Sequence, residues 1–183
     1  MDEAFCSLPG SLGSVPDKST LPLSHAPHRI LSILRRYGRI AMVGLSANPL
    51  RPSHFVAIYL TNRGYDVVPV NPREREILGR KCYPSLRAID GPVEVVDIFR
   101  APEYVPAIVE EGIEVGARVI WMQFGVIHEQ AAQRAIDAGL EVVMDKCMKV
   151  EHARFDGGLT SMGLHTGVIS ANSWGQPDGS PGL

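Results

Sequence analysis

Along residues 28–155, short and almost unbroken apolar runs alternate with longer stretches whose apolar residues recur three and four positions apart. Five runs have strand length: RIAMVGL (39–45), DVVPVN (66–71), VEVVDIF (93–99), RVIWMQF (118–124) and LEVVMD (140–145). A run that is apolar at nearly every position, instead of every second one, suits a strand covered on both faces, as parallel strands are in α/β proteins. The stretches between them fit the covering helices. HRILSILRRYG places Ile30, Ile33, Leu34 and Tyr37 on one helical face and stops at Gly38. SHFVAIYLTNRG, PEYVPAIVEEGIEVGA and EQAAQRAIDAG each carry a stripe at helical spacing and close on glycine before the next strand, with Pro106 early enough to sit in a first turn. Residues 72–92 read as polar loop with one helical turn near Ser85 to Ile89.

Repeated β-α-β units with right-handed crossovers predict an α/β fold: a Rossmann-like doubly wound sheet of five parallel strands with helices on both faces, in the order 3-2-1-4-5. No internal repeat is visible. Outside this core, residues 1–27 are rich in Ser, Pro and Gly, with prolines at 9, 16, 22 and 27, and are expected to form a flexible arm. Residues 156–183 are expected to be a low-complexity tail in which GLHTGVIS could pack as an edge segment. The domain expected between them spans 28–155.

Composition narrows the function classes. A length of 183 residues fits one domain with a real core, and a net charge of −2 without a basic block gives no nucleic-acid footprint. Cys6, Cys82 and Cys147 are too far apart for a Cys-x-x-Cys pair and too few for a disulfide framework, which fits a reducing cytoplasm. No apolar run approaches the roughly 18 residues needed to cross a bilayer, and the N-terminus lacks the basic-then-apolar pattern of a signal peptide, so no membrane partner is expected.

In an open α/β sheet, ligands bind outside the carboxyl ends of the strands, where the strand order reverses. The residues there are Gly44-Leu45-Ser46-Ala47-Asn48 with Arg51-Pro52-Ser53 after the first strand, and Asn71-Pro72-Arg73 after the second. Phe99-Arg100-Ala101-Pro102 follow the third strand, Gln123-Phe124-Gly125 the fourth and Asp145-Lys146-Cys147 the fifth. Gly44 permits close backbone approach, Pro52 suits the first helical position, and Ser53 offers a hydroxyl where free N–H groups and the helix dipole favour an anion. This is the pattern of a phosphate loop, although a plain β-α turn uses the same residue types. The G-x-G-x-x-G fingerprint and the P-loop Gly-Lys-Ser/Thr are both absent. Where NAD-binding folds place an acidic residue for the ribose, this chain has Asn71, Pro72 and Arg73, which favours a ribose bearing an extra phosphate, as in NADP or coenzyme A.

VGLSANPLRPSHFVAIYL, GYDVVPVNP, VEVVDIFRAPEYVP, WMQFGV and VVMDKCMKVEH, in that order over about residues 30–155, resemble the stand-alone CoA-binding domain family. That family is similar to the CoA-binding part of the succinyl-CoA synthetase α subunit. The resemblance implies a coenzyme A or acyl-CoA ligand whose pyrophosphate rests on the loop carrying Gly44, Ser46, Ala47, Arg51 and Ser53. It implies an adenosine part enclosed by Asn71, Pro72 and Arg73 with Phe99, Arg100 and Pro102. Gln123 and Gly125 at the fourth strand's exit would border the pantetheine arm, or, for Gln123, simply belong to the core.

In the synthetase a second domain carries the phosphorylated histidine, and this chain is expected to lack it. His54, His128, His152 and His165 are read as surface or helix-terminal residues. The expectation is therefore a non-catalytic or accessory CoA-binding protein, with no catalytic residue and no metal site. Cys147, flanked by Lys146 and Lys149, reads either as a reactive thiol or as a structural cysteine. Two other classes stay open: an NADP-dependent oxidoreductase, and the CoA-binding component of a split acyl-CoA synthetase. A homo-oligomer or a further protein partner is compatible with all three. Limited proteolysis should trim both ends of the chain before it cuts between residues 93 and 124; first cuts inside that stretch would contradict a single folded core.

Overall fold

The computed structural model describes residues 26–156. Most of the expected arm and tail, with Cys6, His165 and GLHTGVIS, lies outside the described residues; at their inner ends Pro27 opens the first helix and Asp156 closes the last instead of belonging to arm and tail. Helix α1 (Pro27–Arg36) leads into β1 (Arg39–Val43), α2 (Pro52–Asn62) and β2 (Asp66–Val70), followed by a small hairpin of β3 (Glu76–Ile77) and β4 (Arg80–Lys81). Then come β5 (Val95–Ile98), α3 (Val105–Glu114), β6 (Val119–Met122), α4 (Glu129–Asp137), β7 (Glu141–Val143) and α5 (Met148–Asp156).

β1, β2, β5, β6 and β7 make one sheet, parallel throughout. Its two faces bury separate apolar sets, as the alternation of side chains along a strand requires. Val96, Ile98, Ile120, Met122 and Val142 pack with Val105 and Val109 of α3 and Ala135 of α4. On the other face Ile40, Met42, Val95, Trp121 and Val143 pack with Ile30 and Ile33 of α1, Val56 and Leu60 of α2 and Met148 of α5. The α/β class, the five parallel strands and the helices on both faces are as the sequence predicts.

The strand order is not. It runs β2-β1-β5-β6-β7, which is 2-1-3-4-5 for the five main strands and corrects the expected 3-2-1-4-5. The third main strand, β5, pairs with β1 instead of β2. Its expected place is taken by the crossover itself: Tyr83 N donates to the Pro69 carbonyl at 2.9 Å and Asn71 N donates to the Tyr83 carbonyl at 2.9 Å, closing the outer edge of β2. Pro69 explains why β2 cannot be central. Its carbonyl points outward to Tyr83, so its missing N–H falls on that same outer side, where an edge strand tolerates it and an interior strand would lose a ladder bond.

Two elements escape the sequence reading. The β3-β4 hairpin turns through Leu78 and Gly79, both at positive φ (55° and 71°), a conformation that tight hairpin turns ordinarily mark with Asn-Gly or Asp-Gly. Helix α5 lies in what reads as a chain reversal after the last strand. The expected helical turn near Ser85 is present as a 3-10 turn, Leu86–Ala88.

Because β5 is the middle strand and Ile98 is fully buried in the layer under α3, Ile98→Ala should lower unfolding free energy by about 2–5 kcal/mol. Urea denaturation would measure it, and a loss below about 1 kcal/mol would mean the layer is not packed as described.

Candidate functional site

With β5 beside β1, the chain leaves β1 on one side for β2 and returns on the other, so the strand order reverses between β1 and β5. The loops leaving these strands diverge there and open a crevice. Gly44, the first residue after β1, has φ +88°, and a Cβ on it would lie 2.6 Å from the Phe99 carbonyl oxygen and 2.8 Å from Arg100 Cδ. Only glycine lets the two exits pass this closely.

The loop from Leu45 to Arg51 is folded on its own side chains. Ser46 N donates to Ser53 Oγ (3.2 Å), Asn48 N to Ser46 Oγ (3.1 Å) and Leu50 N to Asn48 Oδ1 (2.9 Å). His54, in the first turn of α2, donates from Nδ1 to the Ser46 carbonyl at 2.9 Å; of the surface or helix-terminal placement expected for it, the structure has the helix-terminal one, with the ring buried as a support for the loop. Ser53 is likewise buried, its hydroxyl spent partly on holding Ser46. The N–H groups of Ala47, in the loop, and Ser53, in the first turn of α2, have no partner among the described residues, and the exposed Arg51 lies just before that turn. Asn71 ties this loop to the second one, donating from Nδ2 to the Leu45 carbonyl (2.9 Å) and accepting from Arg73 N (3.0 Å).

Two hollows meet at Gly44 and Arg100. The larger, about 520 Å³, runs over Ser46, Ser53, Phe99 and Gln123 toward Phe124 and Cys147. The smaller, about 190 Å³, lies between Pro72, Ser85, Leu86, Tyr104 and Glu111. Arg100 stands between them with its guanidinium 4.6 Å above the Tyr104 ring, a stacking that steers a flexible cation without neutralising it. Glu111 is already engaged by Leu86 N and the Arg87 guanidinium.

Of the residues expected at the site, Gly44, Ser46, Arg51, Pro52, Ser53, Phe99, Arg100 and Gln123 line the larger hollow, and Pro72 lines the smaller. Ala47, Asn48, Asn71, Arg73, Ala101, Pro102 and Gly125 line neither. Arg73 is exposed beyond Pro72 and its guanidinium has no partner among the described residues. Gly125 N is committed to Asp145 Oδ1 at 2.8 Å, joining the loops after β6 and β7. Tyr104, Ser85 and Val56 were not legible as lining residues; Tyr104 alone had a signal, four residues beyond Arg100 in a crevice loop. Among the described residues no cluster of three His, Cys, Asp or Glu could hold a metal ion, and no helix is long and apolar enough to cross a membrane.

Beneath the larger hollow Gln123 Nε2 donates to Asp97 Oδ1 at 2.8 Å. Asp97 is fully buried, and burial, opposed only by this hydrogen bond, pushes its carboxyl up to about 8. Alongside, the Trp121 indole donates to the Lys146 carbonyl at 2.7 Å and fixes the turn that carries Cys147.

Comparison with known proteins matches residues 38–153 to the family described as CoA binding domain. The protein YneT of Bacillus subtilis strain 168 is 46% identical over 124 residues, covering 68% of this chain and 92% of its own. A solved structure of a hypothetical protein from Pyrococcus horikoshii OT3 is 43% identical with a TM-score of 0.70, over 73% of this chain and 95% of that one. The ADP-forming acetate–CoA ligase I of Archaeoglobus fulgidus is 36% identical over 72 residues, which are 39% of this chain but only 10% of that ligase.

The Asp97 carboxyl also makes stability depend on pH. Unfolded, it titrates near the ordinary value of 3.8; folded, near 8. Between the two the folded state holds a proton the unfolded state lacks, so this contribution is complete below about pH 4 and lost progressively up to about pH 8. Asp97→Asn cannot ionise, and its urea midpoint should fall less than that of the wild type between about pH 5 and pH 8; parallel profiles would show that Asp97 ionises freely in the fold.

Proposed function

We propose that this chain, which belongs to the CoA-binding domain family, binds coenzyme A or an acyl-CoA across the crevice at Gly44 and acts without catalysing a reaction alone. The observation that carries this reading is the pair of hollows joined at Gly44 and Arg100. A ligand with a diphosphate at its centre, a nucleoside at one end and a long arm at the other fits that plan. The residues suit the group: a glycine whose Cβ would collide with the neighbouring loop, unpartnered N–H groups at Ala47 in the loop and at Ser53 in the first turn of α2, and guanidinium groups at Arg51 and Arg100 for a diphosphate. The adenosine would lie in the smaller hollow beside Pro72 and Tyr104, with Arg73 outside it for the 3′-phosphate. The arm would run over Gln123 toward Phe124 and Cys147. Asn48, Asn71 and Gly125 would act by shaping the loops, through the bonds from Leu50 N to Asn48 Oδ1, from Asn71 Nδ2 to the Leu45 carbonyl and from Gly125 N to Asp145 Oδ1.

A second reading, as the CoA-binding component of a synthetase whose other parts reside elsewhere, draws support from the partial match to the archaeal ligase. It requires turnover only when those parts are supplied. The purified chain given CoA, ATP and acetate should form no acyl-CoA, and turnover by the chain alone would replace the binding reading with a catalytic one.

Selectivity tests the binding mode. Dephospho-CoA lacks the 3′-phosphate and should bind more weakly than CoA by about 1.5 kcal/mol or more, the value of a hydrogen bond to a charged group, which is roughly tenfold in Kd. Arg73→Ala should erase that difference, whereas Ser53→Ala should weaken both ligands alike by loosening the diphosphate loop. Calorimetric titration separates these outcomes: equal affinity for CoA and dephospho-CoA in the wild type would remove Arg73 from the site, and tighter binding of NADP than of CoA would move the assignment to an oxidoreductase.

A further inference from the structure

Asp97 lies in the central strand with Met42 and Trp121 as its register partners, on the face covered by α1, α2 and α5. Its Oδ1 accepts from Gln123, but its Oδ2 has no hydrogen-bond partner among the described residues. Among the described residues the one other buried side-chain nitrogen or oxygen without a hydrogen bond, Arg39 Nε, still has the Asp66 carboxylate 3.1 Å away. A buried carboxyl with one orphaned oxygen costs stability that an apolar residue would not. Val95 and Val96, its neighbours in β5, show what the sheet itself favours. What Asp97 does hold is one side chain at the floor of the crevice.

Gln123 is 3% exposed and fixed by its main chain, with N donating to the Ile98 carbonyl (3.3 Å) and its carbonyl accepting from Val126 N (2.8 Å). Its Oε1 has no partner among the described residues and yet is not one of the buried orphans, so it opens into the hollow that Gln123 lines. A primary amide can face a ligand with either its N–H₂ or its C=O, and the two orientations have nearly the same shape. In this structure Nε2 donates to Asp97 Oδ1, which turns the Gln123 C=O toward the hollow.

We propose that Gln123 determines specificity in the arm-binding hollow by accepting a hydrogen bond from a secondary amide N–H of the ligand, and that Asp97 is the positioning residue that turns its carboxamide for that contact. The inference rests on the CoA reading and deepens it, since the pantetheine arm carries two such amides. The strain on stability at Asp97 and the open oxygen on Gln123 then have one explanation: the sheet keeps an awkward carboxyl so that the crevice presents an acceptor.

The test titrates CoA, 3′,5′-ADP, which lacks the arm, and two CoA analogues in which one or the other amide N–H is replaced by an ester oxygen. The proteins are the wild type, Gln123→Leu and Asp97→Leu. In the wild type one ester analogue should bind about tenfold more weakly than CoA, the usual value of one hydrogen bond. Gln123→Leu and Asp97→Leu should each reduce that ratio to about threefold or less and weaken CoA, while 3′,5′-ADP binds all three proteins alike. Asp97→Leu should at the same time raise Tm, which a purely structural role for the carboxyl would not produce. Should Asp97→Leu not fold, Asp97→Val, matching its neighbours in β5, takes its place. An undiminished ratio in either variant, or equal binding of CoA and both esters by the wild type, overturns the inference while leaving CoA binding intact. A wild type that binds neither CoA nor 3′,5′-ADP overturns the CoA reading and this inference with it.

Discussion

The rest of the site depends on one close approach, the passage of the backbone at Gly44 beside the carbonyl of Phe99. A side chain there would have to occupy space 2.6 Å from a main-chain oxygen, and neither strand could yield without breaking the β1-β5 ladder. Given glycine, the two loops cross in contact and then separate, one toward α2 and one toward α3. The hollows on either side of the crossing are a geometric result of that separation. The loop's internal bonding through Ser46, Asn48, Ser53 and His54 then fixes which N–H groups stay free, so the site's chemistry follows from a contact that carries no chemistry of its own.

The fold class was legible because it rests on local pattern: unbroken apolar runs for strands covered twice, helical stripes between them, and glycine at the boundaries. The strand order was legible in part and was misread. Pro69 in the middle of DVVPVN already marks an edge strand, because a proline leaves one outward ladder position without a donor, and an edge position for β2 forbids the third main strand from lying outside it. The hairpin at Leu78 and Gly79 lacked any such mark, since a leucine at positive φ is held there by its surroundings and not announced by its own preference. Among the residues expected at the site, Gly44, Ser46, Arg51, Pro52 and Ser53 after β1 and Phe99 and Arg100 after β5 line the hollows, whereas Ala47, Asn48, Ala101 and Pro102 on the same exits do not. Asn71, Arg73 and Gly125 were found as neighbours of the crevice, but whether a polar group faces a hollow or is consumed by another loop is decided by tertiary partners the sequence does not display.

Asp97 shows the same limit from the other direction. In VEVVDIF it reads as an interruption of an apolar strand, and its burial and orphaned oxygen become visible only with β6 and Gln123 beside it. Local rules that favour valine at that position are overridden, which is the kind of conflict expected where a fold serves a site as well as its own stability.

The chain segment that closes β2 also bears on how copies of this protein can meet. An open strand edge is a template for pairing with another chain. Here one edge of the sheet is already bonded to Tyr83 on its outer side, and at the other edge β7 is only three residues long, too short to nucleate a lasting intermolecular ladder. Among the described residues a continuous sheet across two molecules is thereby disfavoured, which leaves side-chain surfaces such as the exposed Phe55 and Ile58 of α2 for self-association. The segment that sets the strand order thus also guards the fold against edge-to-edge aggregation.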